Sequence, residues 1–216
     1  MRATMRSKSR PLFARVYPMM ARSMEAGGMG DRRSTLLAGL RGRVLEVGAG
    51  DGANFAHYPA TVERVLAIEP EPHLRVLANA SVARAPVSVE IRAGTAELLP
   101  ATDASVDAVV FAMVLCSVPD QQTALAEAVR VLRPGGEIRF LEHVRADTPG
   151  LARVQAVLDA TVWPHLVGGC HTGRDTLGAL ERAELRVERL ERFLFPEAHT
   201  PVSFYVLGSA VRGGAA

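Results

Sequence analysis

Between Val44 and Gly52 an apolar run, Val-Leu-Glu-Val, breaks into Gly-Ala-Gly-Asp-Gly, with a carboxylate, Glu46, two residues before the first glycine. Glycines at 48, 50 and 52 lack the Cβ that keeps a backbone at a distance, and they tolerate φ > 0. A strand ending in such a turn brings main-chain groups within contact distance of a ligand, or makes a tight strand-to-helix connection that binds nothing. The blocks that follow favour the first reading.

A second apolar strand, Arg64 to Glu69, ends in a carboxylate about where an acid accepts hydrogen bonds from both ribose hydroxyls of a nucleoside. Pro70, Glu71 and Pro72 then form a rigid turn that re-aims the chain. After a strand over Val87 to Arg92, Gly94-Thr95-Ala96-Glu97 leads into Leu-Leu-Pro100. A nearly all-apolar strand, Val106 to Phe111, opens into a loop from Ala112 to Asp120. A helix over Thr123 to Leu132, the turn Arg133-Pro-Gly-Gly136 and a strand over Glu137 to Leu141 come next. Strands alternating with helices imply a parallel sheet with right-handed crossovers, whose ligands bind at the carboxyl ends of the strands. A dinucleotide site needs Gly-x-Gly-x-x-Gly, whereas this turn runs Gly-Ala-Gly-Asp-Gly-Ala-Asn54. That spacing disfavours a nicotinamide-dependent oxidoreductase.

In this order the blocks resemble the class I S-adenosylmethionine-dependent methyltransferases of the type 11 group. A narrower likeness, from Val44 to Gly208, rests on Leu115-Cys-Ser-Val118, Val131-Leu-Arg-Pro-Gly-Gly136, Leu141-Glu-His-Val144 and Gly169-Cys-His-Thr-Gly-Arg174. These strings are similar to the methyltransferase-like 7 group, whose animal members are membrane-associated thiol S-methyltransferases with an N-terminal hydrophobic anchor. No such anchor is expected here, so the resemblance implies a relative rather than an equivalent.

The resemblance implies an α/β fold, a Rossmann-like seven-stranded, mostly parallel sheet with strand 7 antiparallel beside strand 6 and helices on both faces. One methyltransferase domain would span residues 1–216, with a flexible tail over 1–10, a helical cap over 11–40 and the core over 41–209. Within the core, 151–169 would be a substrate-side insertion, followed by a helix capped by Thr172 or Asp175. The implied cofactor is S-adenosyl-L-methionine, leaving as S-adenosyl-L-homocysteine.

By position, Glu46 would support the amino-acid end of the cofactor, or instead pin the N–H groups of its own loop. Gly48, Ala49, Gly50 and Gly52 would offer backbone, Glu69 with Pro70 would hold the ribose, and Thr95, Ala96 and Glu97 would surround the adenine. Ala112 and Met113 would flank the methionyl part. Tyr17, Trp163 and His165 fall where the cap and insertion cover the substrate, although plain packing is the alternative for Tyr17. His143, at the end of strand 5, is a candidate base because its pKa lies nearest neutrality. A structural histidine fits that position equally well. Methyl transfer from a sulfonium mainly needs alignment and exclusion of water, so the missing acid–base constellation is no obstacle.

Composition narrows the alternatives. The 216 residues are 48% hydrophobic, enough for a sheet covered on both faces. No run approaches the roughly twenty apolar residues of a membrane helix, and the start lacks a secretory h-region, so a cytoplasmic protein is expected. Two cysteines, outside any Cys-x-x-Cys pair, are expected as reduced thiols. His165, Cys170 and His171 do not match zinc spacing, so no metal is expected.

Residues 1–43 hold ten Lys and Arg against two acids, leaving fifteen against twenty-one in the remainder. Such an arm can touch an acidic substrate or a membrane periphery, or pack against the acidic body. Without regular aromatic interleaving it is not expected to bind nucleic acid. The expected partner is a small, largely apolar acceptor, with a thiol first. The alternatives are a lipid head group or quinone precursor, and a non-catalytic S-adenosylmethionine-binding protein. Nothing in the sequence sets the oligomeric state.

Overall fold

Seven strands form one sheet in the computed structural model, which describes residues 11–212. They are β1 (Gly42–Val47), β2 (Val62–Ile68), β3 (Ser88–Arg92), β4 (Val106–Ala112), β5 (Leu132–His143), β6 (Leu185–Leu194) and β7 (Phe204–Arg212), in the order β3-β2-β1-β4-β5-β7-β6. The expected tail over 1–10 lies outside the described residues.

β1 and β4 take the centre because their apolar residues suit burial on both faces, as parallel strands require. Side chains alternate along them, so Leu45, Val47, Val109 and Phe111 join one core cluster and Val44, Ala108 and Val110 the other. The first cluster packs under α4 (Gln121–Val131) and α7 (Thr176–Arg182); the second packs under α2 (Gly30–Leu37) and α3 (Pro72–Ser81). Strands β1 to β5 pair in parallel, and β7 runs antiparallel to both β5 and β6, as expected. The order reverses between β1 and β4, which makes a crevice at their carboxyl ends.

Several boundaries differ from the sequence reading. α4 begins at Gln121, two residues early, because the Asp120 carboxylate accepts the Gln122 N–H at 2.9 Å and caps it. β5 begins at Leu132, which pairs with Val106 before a register shift lets Gly135 and Gly136 pass. β6 and β7 pair with each other along their whole length, Leu185 to Leu194 against Phe204 to Arg212, at an edge whose charged side chains face solvent. Residues 151–169 include most of α5 (Pro149–Ala160) and the short α6 (Trp163–Leu166). Asp175 caps α7 by accepting from the Gly178 N–H, whereas Thr172 bonds to Asp159. Before β1 stands α1 (Pro11–Met24), which reaches α2 through a wider turn, Glu25–Met29, where Gly28 takes φ +101°.

Candidate active site

The glycine turn is tied to the end of β2. Gly48 and Ala49 both donate their N–H to the Ile68 carbonyl, at 2.7 and 3.0 Å. Gly48 and Gly50 have φ of +67° and +59°, a region that glycine enters without Cβ strain. Glu69 then bridges two turns: Oε2 accepts the Gly50 N–H and Oε1 accepts the Glu71 N–H, each at 2.9 Å. Burial raises its carboxyl above the usual range, against the pull of those two bonds.

These groups line a cavity of about 420 Å³, within the range of small-ligand sites. Gly48 and Gly50 form one wall, Glu69, Pro70 and Glu71 a second, Gly94 to Glu97 a third, and Ala112, Met113 and Val114 a fourth. Phe13 and Tyr17 of α1 cover it, their rings 5.4 Å apart. A Cβ on Gly50 would stand 3.0 Å from the Tyr17 hydroxyl oxygen, so only glycine lets this cap close fully. Burial pushes the Tyr17 phenol up to about 12. Glu97 presents a buried Oε1 that has no hydrogen-bond partner among the described residues.

The fourth wall depends on a residue that the sequence reading missed. Met113 adopts φ +60°, uncommon outside glycine, and its N–H reaches the Leu141 carbonyl at 2.7 Å. Glu142, fully buried at the end of β5, accepts the N–H groups of Val114 and Leu115 at 3.0 Å and of Cys116 at 3.2 Å. Burial pushes its carboxyl up to about 7 in spite of these three bonds. The available signal was an acid at the inner end of an apolar strand, with no solvent to face.

Glu46 stands behind the turn rather than in the cavity lining. It accepts from Asn54 Nδ2 at 2.9 Å and from the Tyr58 hydroxyl at 2.8 Å, so its partners are side chains and not the loop's N–H groups. Arg33 of α2 extends the chain of bonds, donating to Asn54 Oδ1 at 2.7 Å and to Glu25 Oε1 at 2.6 Å.

Burial raises the Glu46 carboxyl from 4.5 to about 7. The folded state therefore holds this proton more tightly than the unfolded chain. Its contribution to stability is complete below about pH 4.5 and is lost as pH rises through about 7, by roughly 3 kcal/mol. Glu46→Gln keeps an acceptor for Asn54 and gives the Tyr58 oxygen a donor. Denaturant melts across that interval should show a shallower decline in stability for Glu46→Gln than for wild type. Equal slopes would contradict the assignment.

The other expected residues divide. Thr95, Ala96, Glu97, Pro70, Ala112, Met113 and Tyr17 line the cavity, whereas Ala49 and Gly52 do not. Gly52 is required by packing, since a Cβ there would come within 2.7 Å of the Phe55 ring. The sequence-based placement of His165 and Trp163 over the substrate does not match the lining: His165 is exposed, and Gly168 enters the lining instead. Gly168 fits because the Phe13 ring lies 2.5 Å from where its Cβ would be. His143 is also absent from the lining; it is buried, stacked on Tyr205 at 5.1 Å, with Nδ1 3.7 Å from Cys170 Sγ. Among the described residues no cluster of three or more His, Cys, Asp or Glu can hold a metal ion, and no helix is long and apolar enough to cross a membrane.

Comparison with known proteins agrees with this geometry. Residues 45–140 match a family model described as a methyltransferase domain. The chain is 33% identical over 212 residues to the thiol S-methyltransferase TMT1B of Rattus norvegicus, covering 96% of this chain and 80% of that one. It is 35% identical over 196 residues to the ubiquinone/menaquinone biosynthesis C-methyltransferase UbiE of Methylobacterium nodulans, covering 86% and 75%. The fold matches the crystal structure of a SAM-dependent methyltransferase from Thermotoga maritima with a TM-score of 0.66, at 19% identity over 93% of this chain and 97% of that one.

Proposed function

The chain belongs to the S-adenosylmethionine-dependent methyltransferases, and from that premise we propose that it methylates a small, largely apolar acceptor, a thiol in the first instance. The observation that carries the acceptor class is the 33% identity to a thiol S-methyltransferase across 96% of the chain. The apolar side of the cavity supports it: Phe13, Val114, Val118, Pro119 and Gly168 line it without adding a charge.

In this reading the Glu69 carboxylate accepts the ribose hydroxyls while keeping its bonds to Gly50 and Glu71. The unpartnered oxygen of Glu97 accepts from the adenine amino group. Gly48 and Gly50 allow close approach of the amino-acid portion, and Ala112 and Met113 flank the methionyl chain. When bound, the cofactor would supply a sulfonium methyl open to in-line attack, with its thioether as the leaving group. Tyr17 and Phe13 exclude water, and the Glu142-anchored loop fixes the approach. His143 lies off the cavity lining, so no protein base is assigned and the acceptor thiol arrives ionised.

A second reading, methylation of a quinone precursor, is favoured by the 35% identity to UbiE over 86% of the chain. One assay separates the two. With S-adenosylmethionine in excess, alkyl thiols should release S-adenosylhomocysteine at least tenfold faster than phenols or quinols. Product from quinols alone would replace the thiol reading. Cofactor binding by calorimetry with no product from any acceptor would leave a binding protein without catalysis. Turnover that appears only with anionic vesicles and falls with salt would move the acceptor to a lipid head group.

A further inference from the structure

Behind the fourth wall of the cavity stand two cysteines that methyl transfer does not use. Cys116 lies in the turn that follows β4, and Cys170 follows α6. Their segments are joined by the His171 N–H, which donates to the Cys116 carbonyl at 2.9 Å. Both thiols are free and buried, Cys116 at 2% and Cys170 at 8% exposure. The bond from His171 lies one residue from Cys170, so it brings the two Cα atoms near the span, roughly 4.4–6.8 Å, that a disulfide bridges, and each thiol acts on the titration of the other.

His143 Nδ1 lies 3.7 Å from the Cys170 sulfur, and the Cys116 thiol and the Trp163 indole also favour its ionised form. His143 Nε2 and Trp163 Nε1 are buried and have no hydrogen-bond partner among the described residues. Such an arrangement stabilises negative charge on sulfur. Interaction with the Cys116 thiol holds the Cys170 thiol below the ordinary range, against its burial, with His143 and Trp163 adding to the effect. Cys116 is displaced upward by the same interaction, by burial and by the Glu142 carboxylate. One sulfur is thus arranged as the attacking thiolate, and its neighbour as the thiol that resolves the product.

We propose that Cys170 and Cys116 form a redox-active dithiol that hydrogen peroxide oxidises to a disulfide bridging the loop after β4 to the segment after α6. The Cys170 thiolate attacks one peroxide oxygen; an S–O bond forms, the O–O bond breaks, and the departing hydroxide is protonated to water. The Cys116 sulfur then attacks the Cys170 sulfenic acid. The S–S bond forms, and hydroxide leaves with the Cys116 proton as a second water. Two thiols lose two electrons in all, and the peroxide gains them. Cys170 keeps 8% of its residue surface open, and hydrogen peroxide is among the smallest of oxidants. Closing to the roughly 2.05 Å of a disulfide draws the two segments together, and these carry Ser117 and Gly168 in the cavity wall. The oxidised chain therefore binds S-adenosylmethionine at least tenfold more weakly, and dithiothreitol restores it.

The test treats the reduced full chain with hydrogen peroxide and reads intact mass and non-reduced peptides. The expected result is loss of two hydrogens per chain with a Cys116–Cys170 linked peptide. Cys116→Ser should stop at a sulfenic acid on Cys170 that dimedone traps, whereas Cys170→Ser should leave Cys116 unlabelled at the same dose. Absence of the intrachain link in folded wild type, or labelling of Cys116 ahead of Cys170, would overturn the proposal. The mass readout needs neither cofactor nor acceptor, so its failure would leave the methyl-transfer reading standing.

Discussion

Gly48→Val is expected to weaken S-adenosylmethionine binding at least a hundredfold. A Cβ at this position would lie 2.6 Å from Val114 Cγ2, closer than real Cβ contacts come. Val114 cannot retreat freely, because Glu142 holds its N–H and those of the next two residues. The substitution therefore pushes the glycine turn away from the loop after β4, and the two walls of the cleft separate. A φ of +67° adds strain of about 1–2 kcal/mol for a residue with a Cβ, and the forced contact adds about 1–3 kcal/mol. Gly39→Ala isolates the first effect: φ there is +77°, with nothing within 4 Å of the new Cβ. It should lower the melting temperature and leave cofactor affinity unchanged. Calorimetric affinity for Gly48→Val within threefold of wild type would show that the turn is not in contact with the ligand.

Glu69→Ala should cost about as much affinity by a different route. The carboxylate holds the Gly50 and Glu71 N–H groups at 2.9 Å while facing the cavity. Losing it frees both turns and removes the acceptor for the ribose hydroxyls. Hydrogen bonds to a charged group contribute about 1.5–3 kcal/mol each, so two correspond to a hundredfold loss or more. The chain should remain folded, since removing a buried carboxyl also removes its desolvation cost. Glu69→Gln, which keeps one acceptor oxygen, should fall between alanine and wild type. Alanine binding with wild-type affinity would mean that the end of β2 does not meet the nucleoside.

The parts of this site that were legible in the sequence are those where the backbone dictates the residue. Gly48 and Gly50 need positive φ, and Glu69 ends a strand beside a proline turn, so type and spacing announce them. Glu142 was not legible. Its neighbour His143 drew attention by its chemistry, whereas the working contacts of Glu142 are to the N–H groups of a loop distant in sequence. The strand ends show the same division. β1 and β4 are mostly apolar, broken only by Arg43, Glu46 and Asp107, but β6 mixes charged and apolar residues because it lies at the sheet edge, and such a mixture resembles loop sequence. Within the insertion over 151–169, Trp163 and His165 stand out by chemistry but lie outside the cavity lining, whereas the residue that enters it, against Phe13, is Gly168, which has no side chain to suggest a role. The pairing of Cys116 with Cys170 arises only when the loops after β4 and after α6 meet.

The most direct measurement is a crystal structure with S-adenosylhomocysteine. The expected result places both ribose hydroxyls on the Glu69 carboxylate, the adenine against Thr95, Ala96 and Glu97, and the thioether beside Met113 under Tyr17. A nucleoside bound elsewhere, with Glu69 still bonded only to Gly50 and Glu71, would contradict the assignment of this cleft.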